Sequence, residues 1–177
     1  MDETLLKLRE RVDLAIEIGE SYYREFKSAF EGPPGAKKPR DVREISVDVA
    51  KTLVAFANAD GGELFIGIED DNLILGTSFN DESMTLILQS YKTHVHPDTP
   101  IRLKKSSIID YDGKKLIYFS VDKGLDYVYL TAKGECFQRR DKESVPTAAE
   151  KILNDRQEVS SKGYDREFVD AAKISDL

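Results

Sequence analysis

The sequence predicts an α+β fold, a mixed β-sheet with helices packed mainly on one face. Two segments near the start repeat apolar residues at helical spacing. The last third is strand-rich, with turn signals at Asp112-Gly113 and Lys133-Gly134. Strands and helices do not alternate regularly, which argues against a doubly wound sheet. A chain of 177 residues, 40% of them apolar, is long enough for one domain with its own core.

The elements follow in order. Leu5, Leu8, Val12 and Ile16 form a stripe that predicts a helix over 4–18, stopped by Gly19. Residues 22–28 read as a strand, with Tyr22, Arg24 and Phe26 on one face and Tyr23, Glu25 and Lys27 on the other. The prolines of 31–40 demand a loop. Asp41, with Glu44 three residues on, makes a capping box. The helix that follows buries Ile45, Val49, Leu53 and Phe56 and ends near Asn58, and Gly61-Gly62 turn the chain. Short strands are expected over 63–69 and 73–75, and a helix over 81–93. Strands over 101–109 and 115–121 flank Asp112-Gly113, and strands over 127–131 and 135–139 flank Lys133-Gly134. A second capping box, Thr147 to Glu150, opens a helix to about Arg156. Leu64, Ile66, Ile117, Phe119 and Val121 complete the expected core with the Ile45 stripe. The domain is expected over 1–156, with a polar tail over 157–177, including a short helix from Asp165, leading towards a further C-terminal region.

Composition removes several function classes. Cys136 is the one cysteine and there are two histidines, too few for a multi-cysteine zinc module or an internal disulfide. No apolar run approaches the ~20 residues of a membrane span and the start is charged from Asp2 onward, so no membrane partner is expected, and the lone cysteine points to a reducing, cytoplasmic setting. Neither G-x-G-x-x-G nor a P-loop occurs. A net charge of −7 opposes long-range attraction to nucleic acid, so any binding must use local basic clusters. The densest are Lys37, Lys38, Arg40 and Arg43 on the proline-rich loop, helped by Arg139 and Arg140; Arg102, Lys104 and Lys105 form another. Solvated loop ends are the plain alternative for each.

Glu25 and Lys27, two apart on a strand, share a face. A carboxylate beside an ammonium suits metal-dependent phosphodiester chemistry, the acid holding Mg²⁺ or Mn²⁺ and the lysine meeting the phosphate. One carboxylate is not a site. Glu20 and Asp70 are the natural additions, and Glu20 joins only if the chain bends near Gly19–Tyr22; Glu69 competes with Asp70. The plain alternatives are a surface ion pair for Glu25–Lys27, turn residues for Asp70-Asp71, and a helix end for Glu20. His94 and His96 resemble a metal pair but lack a third ligand, Cys136 reads as a buried strand residue, and Tyr22, Tyr23, Tyr127 and Tyr129 fit core packing better than base stacking.

The segments Glu20-Ser-Tyr-Tyr-Arg-Glu25-Phe-Lys27 and Ala55-Phe-Ala-Asn58-Ala-Asp60-Gly61-Gly62-Glu-Leu-Phe-Ile-Gly67-Ile-Glu69-Asp70 together resemble the signature of the Schlafen AlbA-like domain family, over roughly Glu20 to Asn154. The resemblance implies nucleic-acid binding and, as in some members, metal-dependent RNA cleavage. It places the three acidic metal ligands of the nucleolytic members at Glu20, Glu25 and Asp70; Lys27, on the Glu25 face of the strand, is the expected catalytic contact to the scissile phosphate. The chain departs from the animal members, which carry a structural zinc site. The first expectation is thus a DNA- or RNA-binding domain of the transcriptional-regulator type. The second is a Mg²⁺- or Mn²⁺-dependent endoribonuclease on structured RNA, in which a single lobe has to form a homodimer to build a groove. The third is a protein-interaction module, which the acidic balance suits.

Overall fold

Four strands make the central sheet, in the order β1-β4-β6-β5, and helices cover both of its faces in the computed structural model, which describes residues 3–158. The elements are α1 (Glu3–Ile18), β1 (Arg24–Lys27), β2 (Phe30–Glu31), β3 (Lys38–Pro39), α2 (Val42–Ala57), β4 (Gly61–Ile66), α3 (Asp81–Leu88), α4 (Ser90–Thr93), β5 (Leu103–Tyr111), β6 (Lys114–Asp122), β7 (Phe137–Arg140) and β8 (Glu143–Pro146). A last helix, α5, runs over 149–158. β1 lies parallel to β4, while β4–β6 and β6–β5 are antiparallel, so the sheet is mixed. The α+β class and the mixed sheet are as expected. Most of the polar tail, with its expected short helix from Asp165, lies outside the described residues.

α2 forms where its local chemistry says it should. The Asp41 side chain accepts from the Arg43 and Glu44 N–H groups at 2.9 and 3.1 Å, satisfying two donors the first helical turn cannot. Ile45, Val49, Leu53 and Phe56, all fully buried, pack with Leu64 and Ile66 of β4 and Ile117, Phe119 and Val121 of β6. Met84 and Ile87 of α3 join the same core, so α2 and α3 share one face. Among the described residues α1 alone covers the other, where Leu8, Val12 and Ala15 meet Phe26, Phe65, Leu116 and Tyr118. Because β4 is covered on both sides, Leu64, Phe65 and Ile66 are all inaccessible to water, an apolar run rather than an alternation.

The Gly61-Gly62 corner is dictated by space. Gly61 has φ +80°, and a Cβ on Gly62 would lie 2.5 Å from the Phe56 ring. The connection from α2 into β4 therefore closes tightly enough for Phe56 to sit beneath the strand.

Several strand ends differ from the sequence reading. Ser21 and Arg24 exchange backbone hydrogen bonds at 3.0 and 3.2 Å, so Tyr22-Tyr23 turn and β1 starts only at Arg24. The return over 73–75 is reduced to one bridge, Ile68 to Ile74. The 81–93 helix breaks at Gln89 into α3 and α4. The turn at Lys133-Gly134 forms, with Thr131 N–H donating to the Glu135 carbonyl at 2.9 Å, but its flanks do not pair beyond that bond; Phe137–Arg140 pairs with Glu143–Pro146 instead. Buried Asn58 explains this. Its side chain accepts from Tyr129 N–H and donates to the Tyr129 and Phe137 carbonyls, each at 2.8 Å, occupying groups that a hairpin would use. Thr147 turns its hydroxyl to the Val145 carbonyl at 3.1 Å, and α5 starts at 149. Among the described residues no helix is long and apolar enough to cross a membrane.

Candidate functional site

β1 is a four-residue edge strand, and the candidate site is built on its exposed margin. Its Tyr23 and Lys27 carbonyls accept from Glu63 and Gly67 of the β4 segment, at 2.9 and 2.8 Å. That leaves the backbone groups of Arg24 and Phe26 facing outward, where an unpaired polar group is costly unless something else satisfies it. Two side chains do so. The Glu20 carboxylate accepts from Phe26 N–H at 2.8 Å, and the Arg139 guanidinium donates to the Arg24 carbonyl at 3.2 Å and the Ser21 carbonyl at 3.0 Å. The bend at Gly19–Tyr22 that the sequence required for Glu20 is thus present, starting where Gly19, with φ +78°, ends α1.

Arg139 is also the main partner of Glu25. One Glu25 oxygen takes its N–H, and the other takes Lys27 Nζ at 3.1 Å. The side chain of Arg139 is 0% exposed and lies over the Phe56 ring, 5.1 Å from its centroid. The expected phosphate contact at Arg139 therefore has no surface: the residue holds β1 and neutralises Glu25 from within. Arg140, the next residue, is exposed at the β7–β8 turn with Lys142.

Glu20, Glu25 and Asp70 share one electrostatic neighbourhood. The Glu20 carboxyl titrates above its ordinary range because it is half-buried; the Phe26 N–H opposes this, and the charges of Glu25 and Asp70 add to it. Asp70 is exposed, and Glu69 before it is held by Lys37 at 2.5 Å. The three acids do not fit a resident ion in this arrangement. Both Glu25 oxygens are engaged by cations, and among the described residues no three His, Cys, Asp or Glu side chains stand close enough to hold a metal.

The basic loop is largely spoken for. Lys37 pairs with Glu69, Lys38 with Glu31 at 3.0 Å, and Arg40 with Asp48. Lys37 and Lys38 nonetheless stand exposed around the β2–β3 hairpin. Arg43 lines a cleft of ≈ 640 Å³ with Arg40, His94 and Lys133, and with Glu44 and Asp48 on its wall. Burial first and the Arg43 charge second push the His94 imidazole below its usual value. His94 and His96 do not act as a pair: Val95 between them is buried and bridges Thr131, and His96 accepts from Asp98 N–H at 3.3 Å. Cys136 is half-buried beside Asn58. Of the tyrosines, Tyr129 is buried and Tyr22 is bonded to Asp60 at 2.9 Å; burial first and that bond second raise the Tyr22 hydroxyl to about 12, and Tyr23 and Tyr127 are exposed.

Sequence reasoning missed a second charged group beneath α1. Glu63, 5% exposed, takes Arg24 at 2.8 Å, Arg11 at 2.6 Å and the Tyr118 hydroxyl at 3.2 Å. The signal was the alternation of β1: an arginine on its inward face demands a buried carboxylate opposite. No comparable signal ties Arg139 to Glu25, 114 residues away.

A solved structure of the DIP2311 protein from Corynebacterium diphtheriae matches with a TM-score of 0.54 and 18% identity, covering 80% of this chain. The chain spans 27% of that protein's length, and the likeness concerns the fold. The N-terminal domain of a RecG-related protein from Nitrosomonas europaea matches at 21% identity with a TM-score of 0.45, over 65% of this chain and 72% of that domain. The family model described as Schlafen, AlbA_2 matches residues 20–148, from the Glu20 that caps β1 to the end of the β7–β8 hairpin that clamps it, and the chain belongs to that family.

Proposed function

We propose that this is a nucleic-acid-binding domain, cytoplasmic in setting, that meets the phosphate backbone along the margin of β1. The observation that carries the reading is the convergence of two hairpins there. The β2–β3 hairpin brings Lys37 and Lys38, with Lys37 against Glu69; the β7–β8 hairpin brings Arg140 and Lys142, with Arg139 against Glu25. Family membership and the exposed tips support it, and local cations are what an acidic chain needs to approach a polyanion. Arg40 and Arg43 extend the surface towards α2. The test is binding of labelled RNA and DNA across a salt series, for the wild type and for a variant with Lys37, Lys38, Arg140 and Lys142 changed to Gln. The variant folds normally, binds more weakly, and loses about one unit of salt slope for each phosphate contact removed. Equal affinity and slope in the two proteins reject the surface.

A second reading, endoribonuclease action on structured RNA by Glu20, Glu25, Lys27 and Asp70 with Mg²⁺ or Mn²⁺, is favoured by the common field of the three carboxylates. It requires Glu25 to leave Lys27 and Arg139. Incubation of a tRNA pool with Mn²⁺ or with EDTA, for wild type and Glu25→Ala, decides it: cleavage only by wild type with Mn²⁺ supports the reading, and none rejects it.

A further inference from the structure

The face of the sheet opposite α2 holds a cleft that the β2–β3 and β7–β8 hairpins do not line. It lies between α1 and the β5–β6 hairpin, has a volume of ≈ 330 Å³, and is lined by Lys7, Arg11, Lys104, Lys105, Tyr118 and Ser120. Four cationic side chains meet two hydroxyl-bearing ones, with no carboxylate on the wall. In a chain of net charge −7 that local sign runs against the average.

A backbone irregularity creates the concentration. Consecutive strand residues ordinarily point to opposite faces. Here the register slips between Leu103, opposite Val121, and Lys105, opposite Ser120. The extra residue breaks the alternation, so Lys104 and Lys105 both line the same cleft. Gathering like charges this way costs energy unless counter-charge offsets it. Glu63, beneath the floor, offsets Arg11, and Asp122 offsets Lys104 at 3.3 Å from the rim. Lys105 has no carboxylate partner among the described residues. The cleft therefore keeps an uncompensated positive charge beside the outer N–H groups of Arg11.

We infer that this cleft is a binding site for a phosphate group, presented by the backbone of a nucleic acid. The inference rests on the nucleic-acid reading for the source of the phosphate, and on the cleft alone for its chemistry. Lysines act there as point charges, and the fixed Arg11 guanidinium supplies directional donors.

The experiment uses ¹⁵N-labelled protein titrated with inorganic phosphate and, separately, with a single-stranded RNA, following the Lys105 and Ser120 amides. It is run beside RNA-binding curves over a salt series. The variant K104Q/K105Q leaves Arg11, Tyr118 and Glu63 in place, and its amide spectrum reports that it is folded. Both ligands are expected to shift the two amides in the wild type. In K104Q/K105Q the phosphate shifts disappear, RNA binds about tenfold more weakly, and the salt slope falls by about 1–2 units. Absence of amide shifts with both ligands, or unchanged affinity and slope in K104Q/K105Q, overturns the inference. If only the hairpin variant loses RNA, the cleft is rejected and the nucleic-acid reading stands. If phosphate shifts Lys105 and Ser120 but RNA does not bind, the nucleic-acid reading is rejected and the cleft stands as a site for a free phosphate-bearing ligand.

Discussion

Glu25 and Glu63 sit on neighbouring paired strands, and each is gripped by two cations, yet their surroundings are opposite. Glu63 is closed in: 5% of its side chain is exposed, Arg24 beside it is 10% exposed, and a tyrosine hydroxyl completes its shell. Glu25 is 15% exposed at an open edge, its grip comes partly from another hairpin, and Glu20 and Asp70 add negative charge around it. In the first arrangement the carboxylate is fully matched, and only the outer side of Arg11 still faces a cleft. The second has surplus acid, a partly exposed lysine, and two flanking basic hairpins. Paired charges alone do not mark a functional site; charge left unmatched at an accessible margin does.

The largest effect should come from Glu63→Ala, which leaves Arg24 buried without its carboxylate. A loss of about 3–5 kcal/mol in urea unfolding is expected. A loss below about 1 kcal/mol would mean that water reaches this group and that the contrast is false. Arg139→Ala should cost less, about 2–3 kcal/mol, because Glu25 keeps Lys27 and can turn to solvent while two carbonyls lose their donor. Faster hydrogen exchange confined to the β1 amides would locate that loss. Lys27→Ala should cost about 1 kcal/mol or less, since Glu25 retains Arg139.

The smallest effect is a change of slope. Folding raises the Glu20 carboxyl above its ordinary 4.5, so between that value and the raised one the folded chain holds more protons than the unfolded chain. The Glu20 contribution is therefore fully favourable below pH 4.5 and declines as pH rises through the folded value. Glu20→Gln keeps an acceptor for Phe26 N–H and removes the titration. A stability profile against pH should lose its downward component just above pH 4.5 in this variant, and an unaltered profile would place the acid in water rather than under the strand.

What could be read from the chain was what is local. The Asp41 cap, the Ile45–Phe56 stripe and the shared face of Glu25 and Lys27 each depend on residues within a few turns of one another, where helix and strand periods apply. The turn at Lys133-Gly134 was equally legible, but its flanks were not, because Asn58 had already claimed the Tyr129 backbone from 71 residues away. Arg139 looked like a surface cation because arginines usually are; only the tertiary structure places it over Phe56 and against the edge of β1. The pairing of Lys37 with Glu69 was hidden for the same reason, and it changes how much free charge the loop can offer.

The reach of Arg139 also orders events during synthesis. β1 has no strand neighbour until β4 follows, and only Glu20 holds its outer edge until residue 139 has emerged, 114 residues after Glu25. The β5–β6 hairpin, closed by a short turn, can form well before that. A nascent chain stopped short of β7 therefore carries a first strand whose Arg24 carbonyl is still uncapped, open to pairing with whatever extended segment passes by. Sealing that strand and assembling the charged margin around Glu25 are one and the same late step.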